Sequence, residues 1–249
     1  MNPRIPEELI EFIKESPTAF HAVNAMAVRL TESGFIRLDE GTHWNLKQGG
    51  SYYVTRNDSS LIAFTIPKHP FQGMRIMASH SDSPSFKIKE NPEMESEGHY
   101  IRLNVERYGG MLFAPWFDRP LSVAGRVIVK DPSTDGKPSA YFLSKPVNID
   151  RDLLMIPNLA IHMDRDANNG HKYNAQKEML PLYGDLTAKN TFFQTIAEAA
   201  NVTEDEILGH DLFLYNRQEP CIWGASGEFL SAPRLDDLQC AFASLKGFL

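Results

Sequence analysis

Cysteine is scarce: Cys221 and Cys240 are the only two in 249 residues. So small a supply excludes a disulfide framework and fits a reducing compartment. Neither thiol has a His beside it in a recognisable motif, so both are expected to be buried rather than nucleophilic. Long apolar runs are missing as well. Nothing approaches the roughly 20 residues that span a bilayer, and Met1-Asn2-Pro3-Arg4-Ile5-Pro6 lacks an apolar signal core. The expectation is a cytoplasmic protein with no membrane partner. A basic stripe is absent too, because Lys and Arg are interspersed with Asp and Glu. Together with a net charge of -7, that argues against nucleic acid as a partner. There is no Gly-rich phosphate loop and no His-Glu-x-x-His helix. Gly224-Ala225-Ser226-Gly227 is out of register for a Gly-x-Ser-x-Gly nucleophile elbow and reads as a turn.

The hydrophobic share of 42% and charged share of 23% are those of a globular chain able to bury a core. Pro6 to Glu15 places Leu9, Ile10, Phe12 and Ile13 on one helical face. Ser16-Pro17-Thr18 then restarts a helix lined by Phe20, Val23, Ala27 and Leu30, with Gly34 at its left-handed end. His21 in this helix reads as a surface or boundary residue. Ser51–Thr55 and Leu61–Ile66, joined through Asn57-Asp58, read as a hairpin. From Ser85 onward strands dominate: His99–Val105, Ser122–Val129, Tyr141–Leu143, Leu159–His162 and Leu212–Tyr215. Asp131-Pro132 and Asp135-Gly136 are turn signals between them. A helix is expected over Ala188–Ala200, and a short one capped by Thr203. The fold class is therefore α/β: residues 1–84, a mainly β insertion over 85–230, and resumption of the first domain at 231–249.

Two stretches carry candidate chemistry. Arg75-Ile76-Met77-Ala78-Ser79 reads as a short buried strand that delivers His80 to a crevice at the sheet edge. There the imidazole is a natural metal ligand, and Asp82 could hold its other nitrogen. Far downstream, Arg234-Leu235-Asp236-Asp237 opens a helix whose buried face is Leu238, Phe242 and Leu245. Paired carboxylates at a helix start usually serve the helix dipole. A carboxylate that bridges two metal ions is the competing role.

These stretches resemble a known family. His80-Ser81-Asp82-Ser83-Pro84 is similar to the His-Thr-Asp-Ser-Pro motif of the M18 zinc aminopeptidases, the aspartyl aminopeptidase group. Arg234-Leu235-Asp236-Asp237 is similar to that family's Arg-Leu-Asp-Asn. Tyr108-Gly109-Gly110, Trp116-Phe117-Asp118-Arg119, Ala124-Gly125-Arg126, Asn158-Leu159-Ala160-Ile161-His162 and Ser16–Val23 resemble further family blocks. The resemblance implies a mixed-sheet zinc-peptidase-like domain interrupted by a β-rich oligomerisation domain. It implies His80 as ligand of one zinc, Asp236 as bridge between two, and Asp82 as the group orienting His80. His162 would contact substrate in a neighbouring subunit. Co2+ or Mn2+ could replace Zn2+, peptides would be the substrates, and a tetrahedral dodecamer the assembly. The family pattern continues with a Glu-Glu pair, an Asp and a His that do not follow Asp236 here. The chain is thus expected to be the N-terminal part of a longer enzyme; the alternative is an oligomer-forming module with an incomplete metal site.

Overall fold

The computed structural model describes residues 4–131 and 142–249. The turn signals at Pro132 and Asp135-Gly136, and Tyr141 of an expected strand, lie outside the described residues. Two compact units divide the chain: residues 1–83 with 220–249, and residues 84–219. The expected second boundary near residue 230 falls earlier because Cys221–Trp223 pairs with Phe229–Ser231 as a hairpin within the first unit.

In the first unit, α1 (Ile5–Glu15) has Pro within its first turn, where a missing N–H costs nothing. After Ser16-Pro17-Thr18, α2 (Ala19–Glu32) ends in a Schellman turn. Gly34, at φ +85°, donates to the Thr31 carbonyl at 2.9 Å, and Phe35 donates to Leu30 at 3.0 Å. The chain then forms β1 (Ile36–Leu38), β2 (Ser51–Arg56) and β3 (Ser60–Thr65). β1 is parallel to β2 and β2 antiparallel to β3, so this sheet is mixed. Asn57 and Asp58 both take left-handed φ of 54°, the turn geometry that matches strand twist in tight hairpins. The unit closes with α5 (Leu235–Phe248). Its core joins the three helices through Phe12, Ile13, Ala22, Leu238 and Phe242. Leu30, Tyr53 and Leu245 extend that packing to the sheet.

The second unit is built on six antiparallel strands: β4 (Ser85–Ser96), β5 (Tyr100–Tyr108), β6 (Leu121–Lys130), β7 (Phe142–Asn148), β8 (Leu182–Asp185) and β9 (Ile207–Asn216). Their order across the sheet is β7-β6-β9-β4-β5-β8. A short helix, α3 (Ala175–Glu178), precedes β8, and α4 (Phe192–Ala200) covers the core formed by Phe86, Leu103, Leu121 and Leu212. β4 escapes the sequence pattern because Pro92 sits in a break of register between Ile88 and Glu93. α4 begins at Phe192 rather than Ala188, where the chain makes a separate 3-10 turn. Thr203 forms a capping box with Glu206, but the helix it opens is a single 3-10 turn that runs straight into β9.

Three expectations fail. Arg75–Ser79 forms neither a strand nor a buried segment: Ile76 and Met77 are 82% and 58% exposed. The run has no regular secondary structure and among the described residues no strand pairs with it, because an apolar pattern cannot supply a partner. Leu159–His162 is a turn, since the Asn158 side chain takes the Leu159 N–H and Ala160 takes that of Met163. These local bonds compete with a ladder. Both cysteines are exposed rather than buried.

Candidate metal centre

α5 opens irregularly. Arg234 holds a left-handed backbone, φ +61°, and Asp236 and Asp237 have non-helical dihedrals across a cis peptide bond. Regular helix therefore begins after Asp237, and the two carboxylates project from the turn that precedes it. The Arg234 side chain is donated back to the end of α1, from Nη2 to the Ile13 carbonyl at 2.9 Å and from Nε to the Ser16 carbonyl at 3.2 Å. A cation is well placed there because helix C-termini carry partial negative charge. The same guanidinium lies close enough to His21 to act on it. Burial first, and this positive charge second, lower the His21 pKa to about 4. Its Nδ1 meets Thr18 Oγ1 at 2.8 Å.

His80 and the acidic turn come together although they are 157 residues apart in sequence. Its backbone N–H donates to Asp237 Oδ2 at 3.1 Å. Its Nε2 lies 3.4 Å from Asp236 Oδ1 and 3.6 Å from Asp237 Oδ2. On the other side of the ring, Nδ1 meets both the Asp82 carbonyl and its Oδ1 at 3.1 Å. This fixes the ring plane and leaves Nε2 aimed at the two aspartates. Burial alone would lower the His80 pKa, but the Asp82 bonds and the charges of Asp237 and Asp82 raise it above the usual imidazole value. The centre is open, with the His80 side chain 55% and that of Asp236 74% exposed.

Asp237 is mostly sheltered, its side chain 16% exposed. It accepts from the Cys240 thiol and from the His80 N–H. The thiol bond is the larger of the causes that hold its carboxyl below the usual range. The same contact raises the Cys240 pKa. One ligand atom each from His80, Asp236 and Asp237 lie within 4.8 Å of one another. An imidazole nitrogen with carboxylate oxygens is a donor set suited to Zn2+, and Co2+ or Mn2+ would also be served.

Of the residues singled out in the sequence, His80, Asp82 and Asp236 share this one place. His162 lies in the other unit, exposed on its turn. Two contributors went unread. Cys240 stands three residues after Asp237, a helical spacing that could have flagged it. The role of Arg234 has no sequence signature, because nothing local says that its side chain reaches back to residues 13 and 16.

A family model described as "Aminopeptidase I zinc metalloprotease (M18)" matches residues 12–249. A "Probable M18 family aminopeptidase 2" of Clostridium acetobutylicum is 44% identical over 249 residues, covering 98% of this chain and 56% of that protein. Its namesake in Pseudomonas fluorescens is 40% identical over 257 residues, covering 100% of this chain and 58% of the other. Among solved structures, Chaetomium thermophilum mApe1 superposes with a TM-score of 0.85 at 30% identity, covering 98% of this chain and 57% of that one. The S. cerevisiae mApe1 dodecamer gives 0.78 at 28%, covering 98% and 55%. The chain spans little more than half the length of the relatives it matches.

Proposed function

Because the chain belongs to the M18 family of zinc metalloproteases, we propose that it contributes part of the active site of a metal-dependent aminopeptidase. The reaction is removal of the N-terminal residue from peptides, acidic residues being the class that the aspartyl group implies. The observation that carries this reading is the 3.4 Å approach of His80 Nε2 to Asp236 Oδ1 from opposite ends of the sequence.

His80 would ligate one Zn2+ through Nε2, and Asp236 would bridge to a second. Such ions supply Lewis-acid polarisation of a scissile carbonyl and a nucleophilic water at neutral pH. The chain's own groups prepare the place for them. Asp82 accepts at Nδ1 and so keeps the Nε2 lone pair free to face the aspartates. Asp237 holds the His80 backbone and so keeps His80 against the turn before α5. His162 would contact substrate from a neighbouring copy. That role calls for a homo-oligomer, and similarity to a dodecameric mApe1 supports one.

The test is hydrolysis of short peptides with Asp, Glu or Leu at the N-terminus, with and without a chelator, alongside zinc titration of the same protein. Chelation is expected to abolish release of the amino acid, and His80→Ala or Asp236→Ala to abolish it and weaken zinc binding. Activity that survives both substitutions would end the assignment. Solution mass, with and without zinc, tests the homo-oligomer.

A further inference from the structure

Between Ile156 and α3 the second unit is irregular, yet both ends of the stretch are tied down. At its start the Asn158 N–H donates to Asp118 Oδ1 at 3.0 Å. Near its end His171 is held between two carboxylates. Nδ1 lies 3.1 Å from Asp164 Oδ2, and Nε2 lies 2.6 Å from Glu178 Oε1 on α3. Each acid spends its other oxygen locally, Asp164 on the Asp166 N–H and Glu178 on the Asn174 N–H. Tyr173 stands edge-on to the imidazole at 4.8 Å and packs on Phe117. Asp118, Phe117 and α3 thus form the base of an arm, residues 158–174. His162 sits two residues before Asp164, in the turn closed by the Met163 N–H to Ala160.

A neutral imidazole has one N–H and one lone pair; only the cation donates from both nitrogens. With acceptor-only carboxylates on both sides, a neutral His171 would face one of them with a lone pair. The titratable groups facing the ring are Asp164 from the arm, Glu178 from α3 and the Tyr173 phenol. The two carboxylates, Glu178 before Asp164, raise the His171 pKa against a small opposing effect of burial.

We infer that His171 is the positioning residue of this arm: as a cation it clamps Asp164 to Glu178, and on losing its proton it releases the turn that carries His162. The inference borrows from the aminopeptidase reading only that His162 meets substrate; the clamp stands on the arm's own geometry.

Trypsin reads the clamp directly, because Arg165 and Lys172 are exposed within the arm. Cleavage at these sites is measured against cleavage at the exposed Lys68, which cancels the protease's own pH dependence. For the wild-type chain the relative rate should rise about fivefold between about pH 6 and pH 9, as the imidazole loses its charge. His171→Gln should be cut at the faster relative rate at both pH values. Glu178→Gln should move the transition to lower pH, by the same interval as the His171 Cε1 proton shifts in an NMR titration. A wild-type ratio that does not change with pH, a rise that persists in His171→Gln, or a Glu178→Gln transition that does not track the NMR midpoint would each overturn the clamp. Should His171→Gln fail to fold, the Glu178→Gln comparison decides. None of these readouts needs peptidase activity, so the clamp and the aminopeptidase reading can fail separately.

Discussion

Replacing Arg234 with Met keeps most of the side-chain stem and removes the guanidinium. Two donors to the end of α1 are lost, to Ile13 at 2.9 Å and Ser16 at 3.2 Å. Hydrogen bonds from charged groups contribute about 1.5–3 kcal/mol when well shielded, and a cation at a helix C-terminus about 0.3–1 kcal/mol. Arg234 is only partly buried, so the lower ends apply, and the expected loss is about 3 kcal/mol at neutral pH. For a chain of this size that lowers Tm by roughly 6–12 °C. The pH dependence is the sharper test. His21 has its folded pKa lowered to about 4 from 6.5. Below pH 6.5 the unfolded chain takes up a proton that the folded one refuses, so stability falls with pH until about pH 4. At about 1.4 kcal/mol per pH unit, the penalty reaches up to about 3 kcal/mol. Without the Arg234 charge the folded His21 pKa rises, though burial, the larger cause, keeps it below normal. The variant therefore suffers less from acid, and its deficit against wild type shrinks between pH 6.5 and 4. Calorimetry or urea unfolding across that range, with NMR titration of His21, gives both numbers. A deficit under 0.5 kcal/mol at pH 7, or one that grows on acidification, would refute the reasoning.

Asp237→Asn preserves an oxygen for the His80 N–H and Cys240 thiol but removes one negative charge from within 3.6 Å of His80 Nε2. Zinc affinity, read by calorimetric titration, should fall about tenfold as the anionic field weakens, while the circular dichroism stays unchanged. In Gly125→Ala the new Cβ would clash with the Asp211 carbonyl oxygen of the neighbouring strand, a backbone atom that cannot swing away. The β6–β9 ladder must part, at a cost of at least about 3 kcal/mol; near-native denaturant stability for this variant would contradict that packing.

How much of this was legible depends on how far apart the interacting residues lie. The α1 and α2 faces, the Gly34 stop and the Asn57-Asp58 turn are local, with partners inside a few residues, and the sequence pattern reads them. Residues 75–79 show where locality ends. An apolar run announces extended backbone, but strand status needs a neighbour that no periodicity can specify. β4 is hidden by the opposite difficulty, a Pro inside a strand that tolerates it only at a break of register. The centre itself follows the same division. His80, Asp82 and Asp236 are visible as residue types that suit a cation. The use of Asp237 to hold the His80 backbone, and of Arg234 to tie the acidic turn to α1, depends on contacts across 157 and more than 200 positions.

The second unit begins and ends side by side. Ser85 Oγ donates to the Leu214 carbonyl at 2.5 Å, and Lys87 stands opposite Phe213 across the sheet. This adjacency favours one folding order over the other. Bringing His80 to Asp237 through a disordered intervening chain costs closure entropy that grows with the logarithm of loop length. Once the six-stranded sheet is made, its own hydrogen bonds have already drawn entry and exit together, and the effective loop shrinks from 157 residues to about 28, the stretches 80–85 and 214–237. The saving is about 1.5 kcal/mol. The cation-binding end is thus easier to close once a sheet that holds none of its ligands has formed.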